Sequence, residues 1–127
     1  VQVIRRMVKD LAFPVEVVAC PTGRDIDGLA LSSRNAYLSE EERKIAPMLY
    51  AAMHRLRIRV RAGTSLETAI DEAVRTLLKG GFRSVDYIKV CDPDTLDPIT
   101  DPVPSEPCRL LAAAWLGKTR LIDNFDL

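Results

Sequence analysis

Ser39-Glu40-Glu41-Glu42-Arg43-Lys44-Ile45-Ala46-Pro47-Met48-Leu49-Tyr50-Ala51-Ala52-Met53-His54-Arg55-Leu56-Arg57-Ile58-Arg59-Val60-Arg61-Ala62-Gly63 is the stretch on which the fold turns. Ser39 and Glu42 have capping-box spacing, in which two side chains satisfy free backbone N–H groups reciprocally. Glu40 and Glu41 suit the positive end of a helix. Ile45, Leu49, Ala52, Leu56 and Val60 then recur at helical spacing and form one apolar face. Pro47 interrupts the pattern: it has no N–H to donate, and it predicts a bend or a delayed start of regular helix. Leu56 to Arg61 alternates apolar and basic residues, in isolation a strand or a basic strip for nucleic acid. The longer helical stripe favours helix, on which Arg55, Arg57, Arg59 and Arg61 fan out and share no face. A solvated surface near the helix C-terminus accounts for them.

The neighbouring segments extend this reading. Thr64 and Glu67 repeat the capping-box spacing, and Leu66, Ile70, Val74, Leu77 and Leu78 form a second stripe that closes at Gly80-Gly81. Two helices joined by a short turn predict an antiparallel pair. Beyond them Val85, Tyr87, Lys89 and Cys91 alternate with Asp86, Ile88, Val90 and Asp92, a strand with at least one buried face. Arg109 to Trp115 and Thr119 to Asn124 flank Gly117-Lys118 as a tight hairpin, with Trp115 assigned to the core. Upstream, Val1, Ile4, Val8 and Leu11 predict a helix ended by Phe13-Pro14, followed by Val15 to Ala19 as a short buried strand. That order fits the tail of a βαβ unit. The expected fold is α+β: an antiparallel helix pair on a small, mainly antiparallel three-stranded sheet, preceded by a helix–strand remnant. The boundary falls near Thr22-Gly23, dividing 1–22 from 23–127.

Composition narrows the functional classes. The 127 residues are 47% hydrophobic, enough for one core. Eighteen basic and 18 acidic residues cancel, so no global field argues for nucleic acid or an anionic membrane. No apolar run reaches the about 20 residues of a membrane span, and no leader pattern is present. Cys20, Cys91 and Cys108 form no metal-like grouping with the single His54 and read as small buried apolar residues in a reducing, cytoplasmic compartment. Asp92, Asp94, Asp97 and Asp101 lack the glycine-centred pattern of a calcium loop. Pro98 to Pro107 is the one candidate mobile segment.

The chemistry concentrates in Asp27-Gly28-Leu29-Ala30-Leu31-Ser32-Ser33-Arg34-Asn35. A small-residue turn runs into two hydroxyls, a guanidinium and an amide, and such donors suit a phosphate oxygen. The bland alternative is also open: Ser32 caps a turn, Arg34 pairs with Asp25 or Asp27, and Asn35 shapes the backbone.

Cys20-Pro21-Thr22-Gly23-Arg24-Asp25 followed by Asp27 through Ser39 resembles the central signature of the pantothenate synthetase (pantoate–beta-alanine ligase) family. The likeness extends to Ile4-Arg5-Arg6-Met7-Val8-Lys9-Asp10-Leu11, Ala113-Ala114-Trp115-Leu116-Gly117 and Thr119-Arg120-Leu121-Ile122-Asp123-Asn124, so it spans nearly the whole chain. The family's N-terminal half is Rossmann-like and carries a His-x-Gly-His motif that is absent here. The resemblance therefore implies the C-terminal part, with residues 1–22 ending the nucleotide-binding domain and 23–127 forming a lid. It implies ATP with Mg²⁺ on its phosphates, a pantoyl adenylate, and beta-alanine as the attacking amine. It implies an N-terminal domain and homodimerisation in the intact enzyme, with no nucleic acid and no membrane. Leu31-Ser32-Ser33-Arg34 is similar to the mobile Lys-Met-Ser-Lys-Ser-type loop of related nucleotidyl-transferring enzymes. By that likeness Ser32 and Ser33 bind phosphate oxygens, Arg34 supplies positive charge, Leu31 lies by the nucleotide, and the Gly23 backbone approaches adenine. Many members carry a larger apolar residue at Gly23, and Glu is common where Asp25 stands. No metal ligand and no certain catalytic residue falls within this chain. The rival is a noncatalytic interaction module that retains the lid sequence.

Overall fold

The computed structural model describes residues 1–100 and 107–127. Helix α1 spans Gln2–Asp10, α2 Glu40–Ile45, α3 Met48–Arg61 and α4 Leu66–Lys79. Strands β1 (Ser84–Cys91), β2 (Arg109–Leu116) and β3 (Thr119–Asp126) form one antiparallel sheet in the order β1-β2-β3. The helix pair α3–α4 covers one face of that sheet, so the α+β expectation holds.

The capping box at Ser39 and Glu42 is present in both directions, at 3.2 and 2.9 Å. The helix that follows is two helices. Pro47 cannot bond to Arg43, and its ring would crowd that carbonyl. The first helix therefore closes with Ala46 N–H on Glu42 O at 2.8 Å, and α3 restarts with Pro47 as its N-cap. Leu49, Ala52, Met53 and Leu56 form the buried face of α3. Its arginines do more than solvate the surface. Arg59 reaches Glu72 of α4 at 3.0 Å, and Arg61 donates to the carbonyl of Leu127, holding the chain end against the helix.

The cap of α4 is Ser65, not Thr64. Ser65 Oγ accepts from Thr68 N–H at 3.2 Å, whereas Thr64 N–H bonds back to Arg59 O and still belongs to the preceding turn. Starting the helix at Leu66 buries Leu66, Ala69, Ala73 and Leu77, so the stripe centres on alanines, and Leu78 is exposed. A capping serine replaced by alanine costs about 1 kcal/mol.

On the sheet, Leu110, Ala112, Ala114 and Leu116 of β2 point into the core with Ile88, Val90 and Leu121. Each fully buried leucine contributes about 1.5–3 kcal/mol. A bulge between Val85 and Tyr87 breaks the expected alternation, placing Val85 on the same face as Ile88. The extra residue, Asp86, accepts from Trp115 Nε1 at 3.0 Å and Arg120 Nε at 2.7 Å. Trp115, between the inward-facing Ala114 and Leu116 of β2, lies half-buried on the outer face with Arg83 over its ring, and not in the core. Gly117, at φ +54°, turns the hairpin at the expected place.

The strand expected at Val15 to Ala19 is not formed. No described strand pairs with the run, and Val15 and Val18 are exposed. A short apolar strand is stable only between sheet neighbours that satisfy its backbone and cover its side chains. Helix α1 likewise has no buried residue, and Val3, Ile4, Met7 and Leu11 face outward. Cys20 is exposed, while Cys91 and Cys108 are buried. Burial pushes the Cys91 thiol pKa up. Asp101 and most of the Pro-rich stretch lie outside the described residues.

Candidate functional site

The signature begins as a miniature hairpin. Arg24 and Ala30 form an antiparallel bridge, Leu31 N–H donates to Gly23 O at 2.9 Å, and Asp25 N–H donates to Leu29 O at 2.9 Å. Gly28 turns it with φ +90°, and a Cβ there would lie 2.4 Å from Cδ1 of Tyr50 on α3. Only glycine meets both the backbone angle and the space. Gly28→Ala is expected to destabilise the fold by about 1–3 kcal/mol, through left-handed strain and overpacking. A denaturant midpoint unchanged from the wild type would contradict this.

Arg24 is the anchor of the hairpin. Its guanidinium makes two bonds to the Asp123 carboxylate, at 2.7 and 2.8 Å, and a third to Gly28 O at 3.0 Å. It stacks 4.5 Å from the centroid of Tyr50 and 5.8 Å from Phe125. The Asp123 side chain is only 3% exposed and that of Arg24 19%. Asp123 stands on the helix-facing side of β3, between Leu121 and Phe125, and also accepts from Asn124 N–H. The Asp123 hydrogen bond, the largest influence, raises the Arg24 pKa. This pair is the main feature that the sequence reading missed. A carboxylate at an apolar slot of an alternating strand was its signal.

The acidic flank is held separately. Arg43 bonds Asp27 at 2.6 Å and Asp25 at 2.8 Å. The expected alternative of Arg34 pairing with these carboxylates is therefore overturned: both are occupied by a residue presented from α2. The Arg43 hydrogen bond holds the Asp27 carboxyl below its ordinary pKa. A carboxyl depressed on folding stabilises above its unfolded pKa, and that contribution disappears as pH falls through the lower folded value. Arg43→Ala should therefore begin acid unfolding at higher pH than the wild type. Coincident acid transitions would contradict the pairing.

After the hairpin, Ser32 Oγ accepts from Arg34 N–H at 3.2 Å and caps a 3-10 turn, Ser33–Tyr37. Asn35 Nδ2 donates to Ala30 O at 3.0 Å, while its buried Oδ1 has no partner among the described residues. So Ser32 and Asn35 do shape the backbone. Leu31, Ser32, Ser33 and Arg34 are exposed, and no ion pair of Arg34 occurs among the described residues. Ser32, Arg34 and Asn35 share a recess of about 30 Å³ with Arg120 and Asp123, room for a water and far too small for a nucleotide. Any nucleotide would meet the outward side of the turn. A Cβ at Gly23 would touch Leu31 Cδ1 at 3.3 Å, so a larger residue there would press on Leu31.

The remaining candidates resolve into structure. Asp92 Oδ1 accepts from the N–H groups of Asp94 and Thr95, a turn built on one carboxylate. Among the described residues no three of His, Cys, Asp and Glu converge on a metal position. His54 lies tilted against Tyr50 at 5.9 Å. No described helix is long and apolar enough to cross a membrane.

The fold and the turn define an α+β module that presents an exposed Ser-Ser-Arg turn on an anchored hairpin, and the comparisons give its family. The family model described as pantoate-beta-alanine ligase matches residues 1–126. The chain belongs to the pantoate-beta-alanine ligase family. It is 52% identical to the pantothenate synthetase of Hyphomonas neptunium, across 99% of this chain and 44% of that protein. With the Dinoroseobacter shibae pantothenate synthetase it shares 50% identity, across 98% of this chain and 44% of the relative. The crystal structure of pantothenate synthetase from Thermus thermophilus superposes with a TM-score of 0.86 at 46% identity, covering 98% of this chain and 45% of that one. The Francisella tularensis pantoate-beta-alanine ligase, crystallised with beta-gamma ATP and beta-alanine, gives a TM-score of 0.65 at 28% identity, with 97% and 38% covered. The chain thus spans less than half the length of these relatives.

Proposed function

We propose that this chain is the C-terminal half of an ATP-dependent ligase that condenses pantoate with beta-alanine to pantothenate. The reaction proceeds in two steps. The pantoate carboxylate attacks the α-phosphorus of ATP, forming pantoyl adenylate and releasing pyrophosphate. The beta-alanine amine then attacks the acyl carbon and releases AMP. Residues 1–22 end the nucleotide-binding domain, and residues 23–127 form a lid that closes over ATP and excludes water from the adenylate.

The observation that carries this reading is the exposed Ser32-Ser33-Arg34 turn, presented by an anchored hairpin with its guanidinium free of described carboxylates. Ser32 and Ser33 would bind phosphate oxygens through hydroxyl or backbone N–H. Arg34 would meet the charge that grows on the departing pyrophosphate, where a fixed donor lowers the barrier most. Leu31 would lie beside the nucleotide, with the Gly23 backbone near adenine. Mg²⁺ would be held by the phosphates. The other half would supply the pantoate site, most ATP contacts and the dimer interface, in the cytoplasm. It would also cover the apolar face of α1, which is exposed here.

The same exposed face suits the rival, a noncatalytic interaction module. Titrating ATP into this chain separates the two. The amide resonances of Ser32, Ser33 and Arg34 should shift with added ATP, and Arg34→Ala should abolish the shift. Resonances at the turn that stay fixed at millimolar ATP, with partner capture unaffected by Arg34→Ala, would favour the interaction module.

A further inference from the structure

We infer that Arg24 and Asp123 are positioning residues: their buried ion pair sets the place of the Ser32-Ser33-Arg34 turn and so governs the adenylation step alone. The inference rests on the reading of that turn as the polyphosphate-facing element.

The mechanical path is continuous. Asp123 sits on the inner face of β3, in register with Ala112 of the central strand, so its carboxylate is fixed by the sheet. It holds Arg24 through two bonds, and the stacked Tyr50 ring limits guanidinium movement from the side of α3. The Arg24 backbone bridges to Ala30, across the hairpin from it. Ala30 O in turn accepts from Asn35 Nδ2, inside the 3-10 turn that begins at Ser33. The turn is thus fastened at both ends. Ser32 follows Ala30 by two residues, and Asn35 is tied back to Ala30. Asp123, Ser32 and Arg34 also wall one recess, so a shift of the carboxylate is felt directly beneath the turn.

The other charges near the hairpin do not duplicate this role. Arg43 holds Asp25 and Asp27 near the hairpin tip, where its side chain is 35% exposed, and the bonds of those two residues run to Gly28 and Leu29, not to Ala30 or the turn. Arg120 lines the same recess, but its guanidinium is engaged by Asp86 of β1 at 2.7 Å and makes no bond to the hairpin or the turn among the described residues. A buried two-bond pair between one guanidinium and one carboxylate fixes direction as well as distance, whereas Arg43 gives one bond to each of two partly exposed carboxylates. A displacement of about 1 Å at a reacting geometry can cost on the order of 10²-fold in rate.

The two half-reactions provide the test. In the complete ligase carrying this chain, adenylation is read as single-turnover pyrophosphate release. Amide formation is read by adding beta-alanine to preformed pantoyl adenylate. Asp123→Asn keeps the shape but removes the charge, and should slow adenylation by about 10–10²-fold with amide formation within a factor of about two. Arg24→Lys keeps the charge and loses the fork, and should give a smaller loss in the same step. Arg34→Ala, run in parallel, reports on the turn itself. Equal losses in both half-reactions would mean that the pair only supports the fold, and would overturn the inference. So would normal adenylation in Asp123→Asn while Arg34→Ala is impaired. Normal adenylation in Arg34→Ala would instead overturn the reading of the turn, and the positioning role with it.

Discussion

Asp123→Ala should lower the unfolding free energy of this chain by about 3–5 kcal/mol, the cost of leaving one member of a buried ion pair without its partner. The Asp123 side chain is 3% exposed, and Arg24 would keep the Gly28 carbonyl and the Tyr50 and Phe125 rings. The size of the loss does not measure the net worth of the pair. Both charges lost water on folding, and an apolar pair of similar volume avoids that cost. Arg24→Met with Asp123→Leu should therefore be much less destabilised than Arg24→Met alone or Asp123→Leu alone, giving a large coupling in a double-mutant cycle. Urea midpoints of the four proteins decide the matter. Additive single effects would contradict a specific pair. A small Asp123→Ala effect would mean that water enters and solvates Arg24.

The second large effect concerns rate. Arg34→Ala in the complete ligase should slow adenylation by about 10²–10³-fold, equivalent to about 2.7–4 kcal/mol of transition-state stabilisation. The side chain is exposed and makes no ion pair among the described residues, so thermal stability should stay within about 0.5 kcal/mol of wild type. That separation distinguishes a residue that meets the departing phosphate from one that holds the fold. An unchanged single-turnover rate of pyrophosphate release would remove Arg34 from the chemistry.

The helix pair and the hairpin were legible because their signals are local. The capping box, the Leu49–Leu56 stripe and Gly117 each report on a few neighbouring residues. What was misread depends on distant partners. Val15 to Ala19 has the residues of a strand, but strand formation needs neighbours, and none is described beside it. Thr64 and Ser65 are both competent caps. Burial of Leu66 and Ala69 chose between them. The alternation of β2, with Leu110, Ala112, Ala114 and Leu116 inward, puts Trp115 on the outer face, and the alanine-rich run hid that alternation. Nothing in the β1 pattern announced the bulged Asp86 that accepts from it. The donors of the Ser32–Asn35 cluster were visible in sequence. The supports beneath them were not, because Arg24 and Asp123 are 99 residues apart. The sequence leaves open, for the same reason, the alternative in which Arg34 pairs with Asp25 or Asp27: Arg43, which holds both, is distant in sequence and adjacent in space.

The most direct test of the central claim is the product balance of the complete ligase supplied with ATP, pantoate and beta-alanine. The account predicts pantothenate, AMP and pyrophosphate in equal amounts, with no pantothenate from this chain alone. Formation of ADP and phosphate, or pantothenate made by the isolated chain, would contradict it.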